Sequence, residues 1–433
     1  MFRTTPSPSQ RLQSSTDDLR PELDHRGLGP SATKEESVFF CRAGAETPPI
    51  EGKRSKFMNP DRIERILDSG YKAVLVTTGG GSSALNALLT TPGASRFVAD
   101  AQIPYSPEAL ERFLGEKPEQ SVSPAAARKL ADVAFANSPP SEGCPTSRAV
   151  AVRRRKGGVG SRRIGIACSA ALQTNRERRG DDRAFICIKT EKSEKLYSLY
   201  FSKTTRAEQE ALLSDWLLVL IAQAVGAERS LMLPGSFNPL HRGHCNLLAV
   251  AEEITGLRGV FELSSANVDK PDIPEEEILR RASVIKDIPV ALTSAPRFAQ
   301  KAELFPNTTF VLGIDTAARL IDYAKPDEWK LFQGLETSFL VAGRVFQTLE
   351  KDTALAPRPV RRSLGEGGSA ETRRTRFQGL ETVGAGDDRA HRARLQTFQG
   401  LENLEVPTGF ESLFEEIPES RFREDISSTD LRG

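Results

Sequence analysis

The chain has 433 residues, of which 38% are apolar, and a formal net charge of +1 at pH 7. Because one hydrophobic core organises roughly 100 to 200 residues, this length predicts two domains and some additional chain. The balanced charge gives no global field for nucleic acid or a membrane surface, so neither is expected as a partner. The sequence shows neither a stretch of roughly 18 apolar residues nor a signal peptide, which favours a cytoplasmic location.

The five cysteines are scattered along the chain and form no CxxC pair. Their odd number and spacing argue against a disulfide framework and against a zinc site. The sequence therefore predicts a reducing compartment and no metal ion held by protein ligands.

Residues 1–57 are rich in proline, serine and charge without an apolar period, which predicts a disordered extension. Residues 58–225 predict an α/β domain with a helix near Asp61 and a Gly-rich turn at 77–83. Its other predicted elements are strands at 73–76, 164–168 and 184–188 and a long helix at 208–224. The basic segment 138–163 predicts a surface insertion; binding of phosphate or nucleic acid is the alternative, but no aromatic residues are interleaved for stacking.

Residues 229–433 alternate strands and helices, with strands predicted at 230–233, 259–264, 289–293, 309–314 and 338–342. This alternation predicts a mostly parallel, doubly wound, Rossmann-like sheet whose ligands lie at the carboxyl ends of strands near a topological switch point. The pentapeptide FQGLE recurs at 332–336, 377–381 and 398–402 with unequal spacing, unlike a solenoid repeat. Because the intervening chain is rich in Gly and Arg, 352–397 is predicted as a low-complexity insertion before a strand near Leu404.

The segment PGSFNPLHRGH, residues 234–244, stands between a short apolar strand and an amphipathic helix. Gly235 and Gly243 allow the backbone to approach a phosphate, and the helix that begins near His244 offers amide groups and the positive end of its dipole. His241 and His244 add imidazole donors without a full permanent charge. The segment therefore predicts a phosphate site rather than two ordinary histidines in a turn.

This segment resembles the H-x-G-H signature of the nucleotidyltransferase superfamily, in the version of nicotinate or nicotinamide mononucleotide adenylyltransferases. The resemblance implies that ATP binds at Gly235, Ser236, Phe237, His241 and His244. It also implies Mg²⁺ carried by the triphosphate and a mononucleotide as the second substrate. In the implied mechanism a mononucleotide phosphate oxygen attacks the α-phosphorus of ATP, and His241, His244 and Arg432 offset charge on the leaving pyrophosphate.

Three later segments resemble the same family in the same order. ELSSANVDKP (262–271) matches a segment near the mononucleotide through Asn267 and Lys270, and VLGIDT (311–316) matches a segment facing the nucleotide ribose through Gly313 and Asp315. ISSTDLR (426–432) resembles a second phosphate motif, whose donors are Ser427, Ser428, Thr429 and Arg432. Arg344 is a further candidate at a strand end.

Two alternatives to this function remain open. A nucleotidyltransferase with another phosphorylated acceptor, such as a flavin or a sugar phosphate, fits the same ATP motif. A nucleotide-binding sensor without turnover fits the altered first domain, but it does not require His241, His244 and Arg432. The sequence leaves the oligomeric state open, with a homo-oligomer as one option.

Residues 60–222 resemble the C-terminal domain of the competence-damage-inducible (CinA) family, some members of which deamidate nicotinamide mononucleotide. The likeness rests on TTGGG (77–81), PGAS (92–95) and YSPEA (105–109). Thr77 stands in place of the family's nucleophilic serine, and Leu110 in place of its lysine. Because a hydroxyl without a base stays protonated, this departure predicts a domain that keeps its fold, loses the amidase activity and serves as a regulatory or assembly module.

Overall fold

The computed structural model describes residues 59–139, 162–176, 178–266, 271–349 and 394–423. The predicted N-terminal extension and most of the two predicted insertions lie outside these ranges. The described residues fall in one compact unit. In this part of the chain, no helix is both long and apolar enough to cross a bilayer.

The first half of the chain contains the elements from α1 to α5. These are α1 (Pro60–Leu67), β1 (Tyr71–Thr78), α2 (Ser82–Thr90), β2 (Val98–Gln102), α3 (Pro107–Leu114), α4 (Pro124–Asn137), β3 (Arg162–Ala171), β4 (Arg183–Thr190), β5 (Glu194–Tyr200) and α5 (Arg206–Ala224). Local sequence sets where several of these helices begin. For α5, Thr205 Oγ1 accepts from the Glu208 amide at 3.3 Å, and the Glu208 carboxylate accepts from the Thr205 amide at 2.9 Å, a reciprocal cap.

The second half contains the elements from β6 to β13. These are β6 (Ser230–Pro234), α6 (Arg242–Thr255), β7 (Gly259–Ser264), α7 (Glu275–Ser283), β8 (Val290–Thr293), α8 (Phe298–Leu304), β9 (Thr308–Gly313), α9 (Ile314–Tyr323), α10 (Pro326–Gly334), β10 (Ser338–Ala342), β11 (Arg344–Leu349), β12 (Arg394–Gln399) and β13 (Phe414–Ile417). Buried apolar strands such as β7 and β10 have the bounds that their apolar runs predict.

The described strands form one 11-stranded sheet in the order β13-β10-β9-β6-β7-β8-β5-β4-β3-β1-β2, with β11 and β12 as a separate antiparallel pair. The pairs from β13 to β8 are parallel, and counted from β6 their order is the 3-2-1-4-5-6 of a doubly wound fold. The direction of winding reverses between β6 and β9. It reverses again in the first half between β1 and β3, which are also parallel neighbours. These are the two places where such a sheet opens a crevice for a ligand.

The two expected domains share this sheet because β5 pairs antiparallel with β8, with Leu196 opposite Leu292. Helix α5 joins the halves further through two neighbouring side chains. Asp215 accepts from Arg258 Nη1 at 2.7 Å, and the Trp216 indole donates to the Asp287 carbonyl at 3.0 Å. The Arg258 guanidinium lies 3.9 Å from the centre of the Trp216 ring. Since Asp215 and Trp216 are each 1% exposed, the junction is part of the core.

Three predictions of local structure need correction. Residues 394–397, predicted as part of the insertion, belong to β12, which is stabilised by its ladder with β11. The strand predicted near Leu404 is absent there; 401–403 form a short 3-10 helix, and the edge strand β13 follows at Phe414. Cys245 is disulfide-bonded, contrary to the expectation from cysteine spacing, whereas Cys168 and Cys187 are buried free thiols.

Candidate functional site

The motif 234–244 forms a strand, a turn and a helix, as its sequence predicts. Strand β6 ends at Pro234, and α6 begins at Arg242 after His241, its N-cap residue. The Gly235 amide donates to the Glu262 carbonyl at 3.0 Å, which ties the turn to the neighbouring strand β7. The turn therefore lies at the carboxyl end of β6, beside the switch point with β9.

His241 and His244 lie against each other at the start of α6. Their ring centres are 3.7 Å apart and their planes are tilted by 30°. The His244 amide donates to the His241 carbonyl at 3.0 Å, and the His241 amide donates to His244 Nδ1 at 3.3 Å. The two imidazoles thus form one unit, held by the backbone of the first helical turn.

The hydrogen bond from His241 fixes which nitrogen of His244 carries a proton. Because Nδ1 accepts, the proton of the neutral ring must lie on Nε2. Burial, together with the nearby His241, lowers the pKa of His244 to about 3, so this ring is neutral near pH 7. His244 therefore presents an uncharged N–H donor, and the positive end of the α6 dipole lies beside it.

Phe237 holds the His244 ring from the other side. Its side chain is 2% exposed and packs edge-on against His244, with ring centres 5.2 Å apart, and against Phe261 at 5.0 Å. A Cβ on Gly235 would lie 2.6 Å from Phe237 Cε1, so glycine leaves the space that this ring fills. Since the Phe237 ring is buried, a ligand at this turn would meet its backbone rather than its side chain.

Arg281 on α7 is a positioning residue that the sequence did not reveal. Its Nη1 donates to the Ser236 carbonyl at 3.2 Å, and its Nε pairs with Glu277 at 2.7 Å. The Arg281 side chain is only 12% exposed. The spacing of Glu277 and Arg281, four residues apart on a helix, predicts the ion pair but not the contact with the turn.

Residues 311–316, which resemble the segment facing the nucleotide ribose, lie at the same edge of the sheet because β9 is the parallel neighbour of β6. Gly313 is the last residue of β9 and the N-cap of α9, and Asp315 is in the first turn of that helix. Asp315 Oδ2 pairs with Arg344 Nη1 at 3.2 Å. The structure thus brings together two residues that were predicted from separate segments.

The other predicted site residues lie outside the described part of the chain. They are Asn267, Lys270, Ser427, Ser428, Thr429 and Arg432. Gly243, in the first turn of α6, is buried.

In the first half, Thr77 lies at the end of β1 opposite Cys168 of β3. Thr77 is 1% exposed, and its hydroxyl has no hydrogen-bond partner among the described residues. Leu110 is buried on α3, while Tyr105 is exposed and accepts from Arg206 Nη2 at 3.2 Å. Among the described residues, no base contacts Thr77 to activate its hydroxyl.

Residues 232–433 match the cytidylyltransferase-like family, part of the nucleotidyltransferase superfamily. The match covers the doubly wound sheet and the four segments predicted for the site, and it supports an activity of the nucleotidyltransferase type for the second half. No curated protein sequence matches the chain.

Solved structures of the competence-damage group are similar to this chain at low identity. The competence/damage inducible protein CihA from Agrobacterium tumefaciens is 14% identical; the match covers 39% of this chain and 96% of that one, with a TM-score of 0.32. A CinA superfamily protein from Klebsiella pneumoniae is 12% identical, with 40% and 99% covered and a TM-score of 0.31. Another, from Escherichia coli, is 13% identical, with 41% and 99% covered and a TM-score of 0.29. Scores this low carry no conclusion about function.

Proposed function

We propose that the second half transfers the adenylyl group of ATP to a mononucleotide, nicotinamide or nicotinate mononucleotide, and releases pyrophosphate. The observation that carries this proposal is the paired His241 and His244 at the start of α6, beside the switch point of a doubly wound sheet. The family match over 232–433 supports the reaction type.

In this reaction a phosphate oxygen of the mononucleotide bonds to the α-phosphorus of ATP. The bond from the α-phosphorus to the bridging oxygen breaks, and pyrophosphate leaves with the electron pair. No covalent bond to the protein is needed, so catalysis consists of positioning and of stabilising the charge on the leaving group. The neutral Nε2–H of His244 and the N-terminus of α6 supply that stabilisation without adding a desolvated positive charge.

Asp315 and Arg344 receive roles by their place at the sheet edge, and the other site residues receive theirs from the resemblance of their sequence segments. The Asp315 carboxylate accepts from ribose hydroxyls, and Arg344, paired with it at 3.2 Å, lies at the same strand end as a candidate for a substrate phosphate. Arg432 and the hydroxyls of 427–429 complete the phosphate contacts, and Asn267 and Lys270 bind the acceptor. As the resemblance implies, the proposal has Mg²⁺ enter on the triphosphate.

The test is pyrophosphate release with Mg²⁺ and either ATP or CTP, with and without nicotinamide or nicotinate mononucleotide. We expect release only with ATP and a mononucleotide, and a loss of about 100-fold or more in His244→Ala, as for removal of one donor from a site that stabilises developing charge. Glu253→Gln, at an exposed carboxylate further along α6, is the matched control and keeps wild-type turnover.

Each alternative gives a distinct result when other acceptors are added to this assay and ATP binding is measured beside it. Release with CTP rather than ATP contradicts adenylyl transfer and indicates cytidylyl transfer. Release that needs a flavin or a sugar phosphate assigns another acceptor. ATP binding without release under all of these conditions indicates the nucleotide sensor.

A further inference from the structure

The Gly-rich turn of the first half carries an anion supplied by the chain itself. Helix α2 begins after Gly81, which has a φ of +88° and no side chain to cap the helix. The first amides of a helix lack partners within it, and they favour a negatively charged group. In this helix the carboxylate of Glu210, on α5, takes that place.

Three donors of this turn converge on Glu210, which also accepts from the Ser214 hydroxyl of its own helix at 3.3 Å. The Gly81 amide donates to Oε2 at 2.7 Å, and the Ser83 amide and Ser82 hydroxyl donate to Oε1 at 3.0 and 3.1 Å. Two helix amides and a hydroxyl around one anion are the donor set that helix N-termini offer to phosphates. The turn is therefore an anion cradle, and a residue about 130 positions away in sequence fills it.

Two independent features mark this turn as part of a ligand crevice. The Thr77 side chain lies beside the turn, with Cγ2 3.6 Å from where a Cβ of Gly81 would be, and its buried hydroxyl has no hydrogen-bond partner among the described residues. The turn also stands at the carboxyl end of β1, beside the switch point with β3.

An open cavity of about 770 Å³ adjoins the turn. Lys203 and Arg206 supply positive charge to its lining, Glu208 supplies a carboxylate, and Gln173 and Asn175 supply amides. Arg206 connects the cavity to the turn, because its Nη2 donates to the Gly79 carbonyl at 3.0 Å. With two cationic side chains and one carboxylate the lining is net positive, and Glu210 occupies the cradle beside the cavity.

We propose that Glu210 is a built-in competitor that excludes phosphate-bearing ligands from the cradle of the first half. A phosphate group can bind the Gly81 and Ser83 amides only when this carboxylate is displaced or removed. The first half is then closed to such ligands while Glu210 is bound, whatever the second half does.

The experiment is hydrogen–deuterium exchange of the full chain, resolved at the Gly81 and Ser83 amides, with and without inorganic phosphate at matched ionic strength. In Glu210→Ala we expect phosphate at ten times its Kd to slow exchange of these amides about tenfold, because bound ligand protects in proportion to its occupancy. In wild type and in Glu111→Ala, an exposed carboxylate variant on α3, phosphate leaves the exchange unchanged.

A second variant is tested in case Glu210→Ala folds poorly. Glu210→Gln keeps the size of the side chain and loses its charge, so its Gly81 and Ser83 amides exchange faster than in wild type, and phosphate slows them again. Equal slowing by phosphate in wild type would show that Glu210 does not exclude the anion. No slowing in either Glu210 variant would show that the turn is not a cradle. Either result overturns the proposal.

Discussion

The two halves of the molecule each place a Gly-containing turn between a parallel strand and a helix, at a switch point of the sheet. After β6 the turn leads to His241 and His244, which the first turn of α6 holds as a pair. After β1 the turn leads to α2, whose first amides bind the Glu210 carboxylate. Both turns link a parallel strand to a helix, but one presents the neutral donor of His244 and the other contains an internal anion.

This difference shows that a strand–turn–helix unit does not by itself define a binding site. The side chain that reaches the turn from a third element decides what the turn can bind. In the first half that element is α5, and burial, with Glu210 nearby, also raises the pKa of the Cys168 thiol. Neither Cys168 nor Thr77 is an activated nucleophile in this setting, which supports the proposal that the amidase chemistry is lost.

The largest expected effect in the comparison of the two turns is that of Gly79→Ala. Gly79 has a φ of +78°, and an added Cβ would lie 1.8 Å from the Ala170 carbonyl oxygen, which is backbone and cannot move away cheaply. We expect a loss of about 3 kcal/mol in unfolding free energy, measured by urea denaturation. Gly115→Ala is the control, because Gly115 has a φ of +76° and open space around it. A loss no greater than that of Gly115→Ala would contradict the role of close packing at the first turn.

Gly235→Ala, in the second turn, is expected to lower the unfolding free energy less than Gly79→Ala does. Its main effect is expected on turnover. Its Cβ would meet the Phe237 ring, which can shift, so we expect about 2 kcal/mol in unfolding free energy. Because Phe237 packs against His244, the shift moves the imidazole, and turnover falls about 100-fold. Gly334→Ala, which meets nothing within 4 Å, serves as the control in both assays. Full turnover in Gly235→Ala would show that Phe237 does not position His244.

Much of the fold follows from the sequence where apolar runs are buried on both faces. Strands β7 and β10 have their predicted bounds, and α5 begins two residues before the predicted start, at its Thr205 cap. Strand β5 was not predicted, since it begins with the charged Glu194 and Lys195 and Ser198 interrupts its short apolar run. Its pairing with β4 in a hairpin and with β8 stabilises it, and the pairing with β8 is long-range in sequence.

The repeated FQGLE segment shows why local sequence is not enough. The copy at 332–336 ends α10, with Phe332 fully buried against Trp329 and Phe339. The copy at 398–402 ends β12 and enters a 3-10 helix. The copy at 377–381 lies outside the described residues. Identical residues thus take different structures because their tertiary partners differ, which overrides intrinsic propensity.

The site was predictable where one segment carried both the chemistry and its position. The motif 234–244 alone is enough to predict His241 and His244 at the start of a helix. Arg281 and Glu210 were not predictable, because each reaches its turn from a distant element through a single side chain. A pattern of residues along the chain carries no signal for such contacts.

The pH dependence of stability separates the two turns further through His244. Its pKa is about 3 in the folded chain and near 6.5 when unfolded, so the unfolded chain binds the proton first as the pH falls. The contribution of the lowered His244 pKa to the unfolding free energy is therefore complete above pH 6.5 and is lost as the pH falls toward 3. Relative to His244→Gln, the wild type should lose up to about 2 kcal/mol between pH 6.5 and 5. Denaturation of both proteins across this range is the measurement, and parallel curves would contradict a buried, neutral His244.

The smallest expected effect is that of Arg281→Lys, which tests whether the second turn needs support from α7. Lysine keeps the charge but lacks the planar fork that bonds the Ser236 carbonyl and Glu277 together, so we expect a loss of about 1 kcal/mol. A residue that only positions the turn should raise the KM for ATP several-fold and leave kcat nearly unchanged. Arg280→Lys is the matched control, because the Arg280 side chain is exposed and pairs with Glu277 without reaching the turn in the described part of the chain. A fall in kcat at constant KM would mean that Arg281 acts on the transition state itself, and the second turn would then depend on α7 as directly as the first depends on α5.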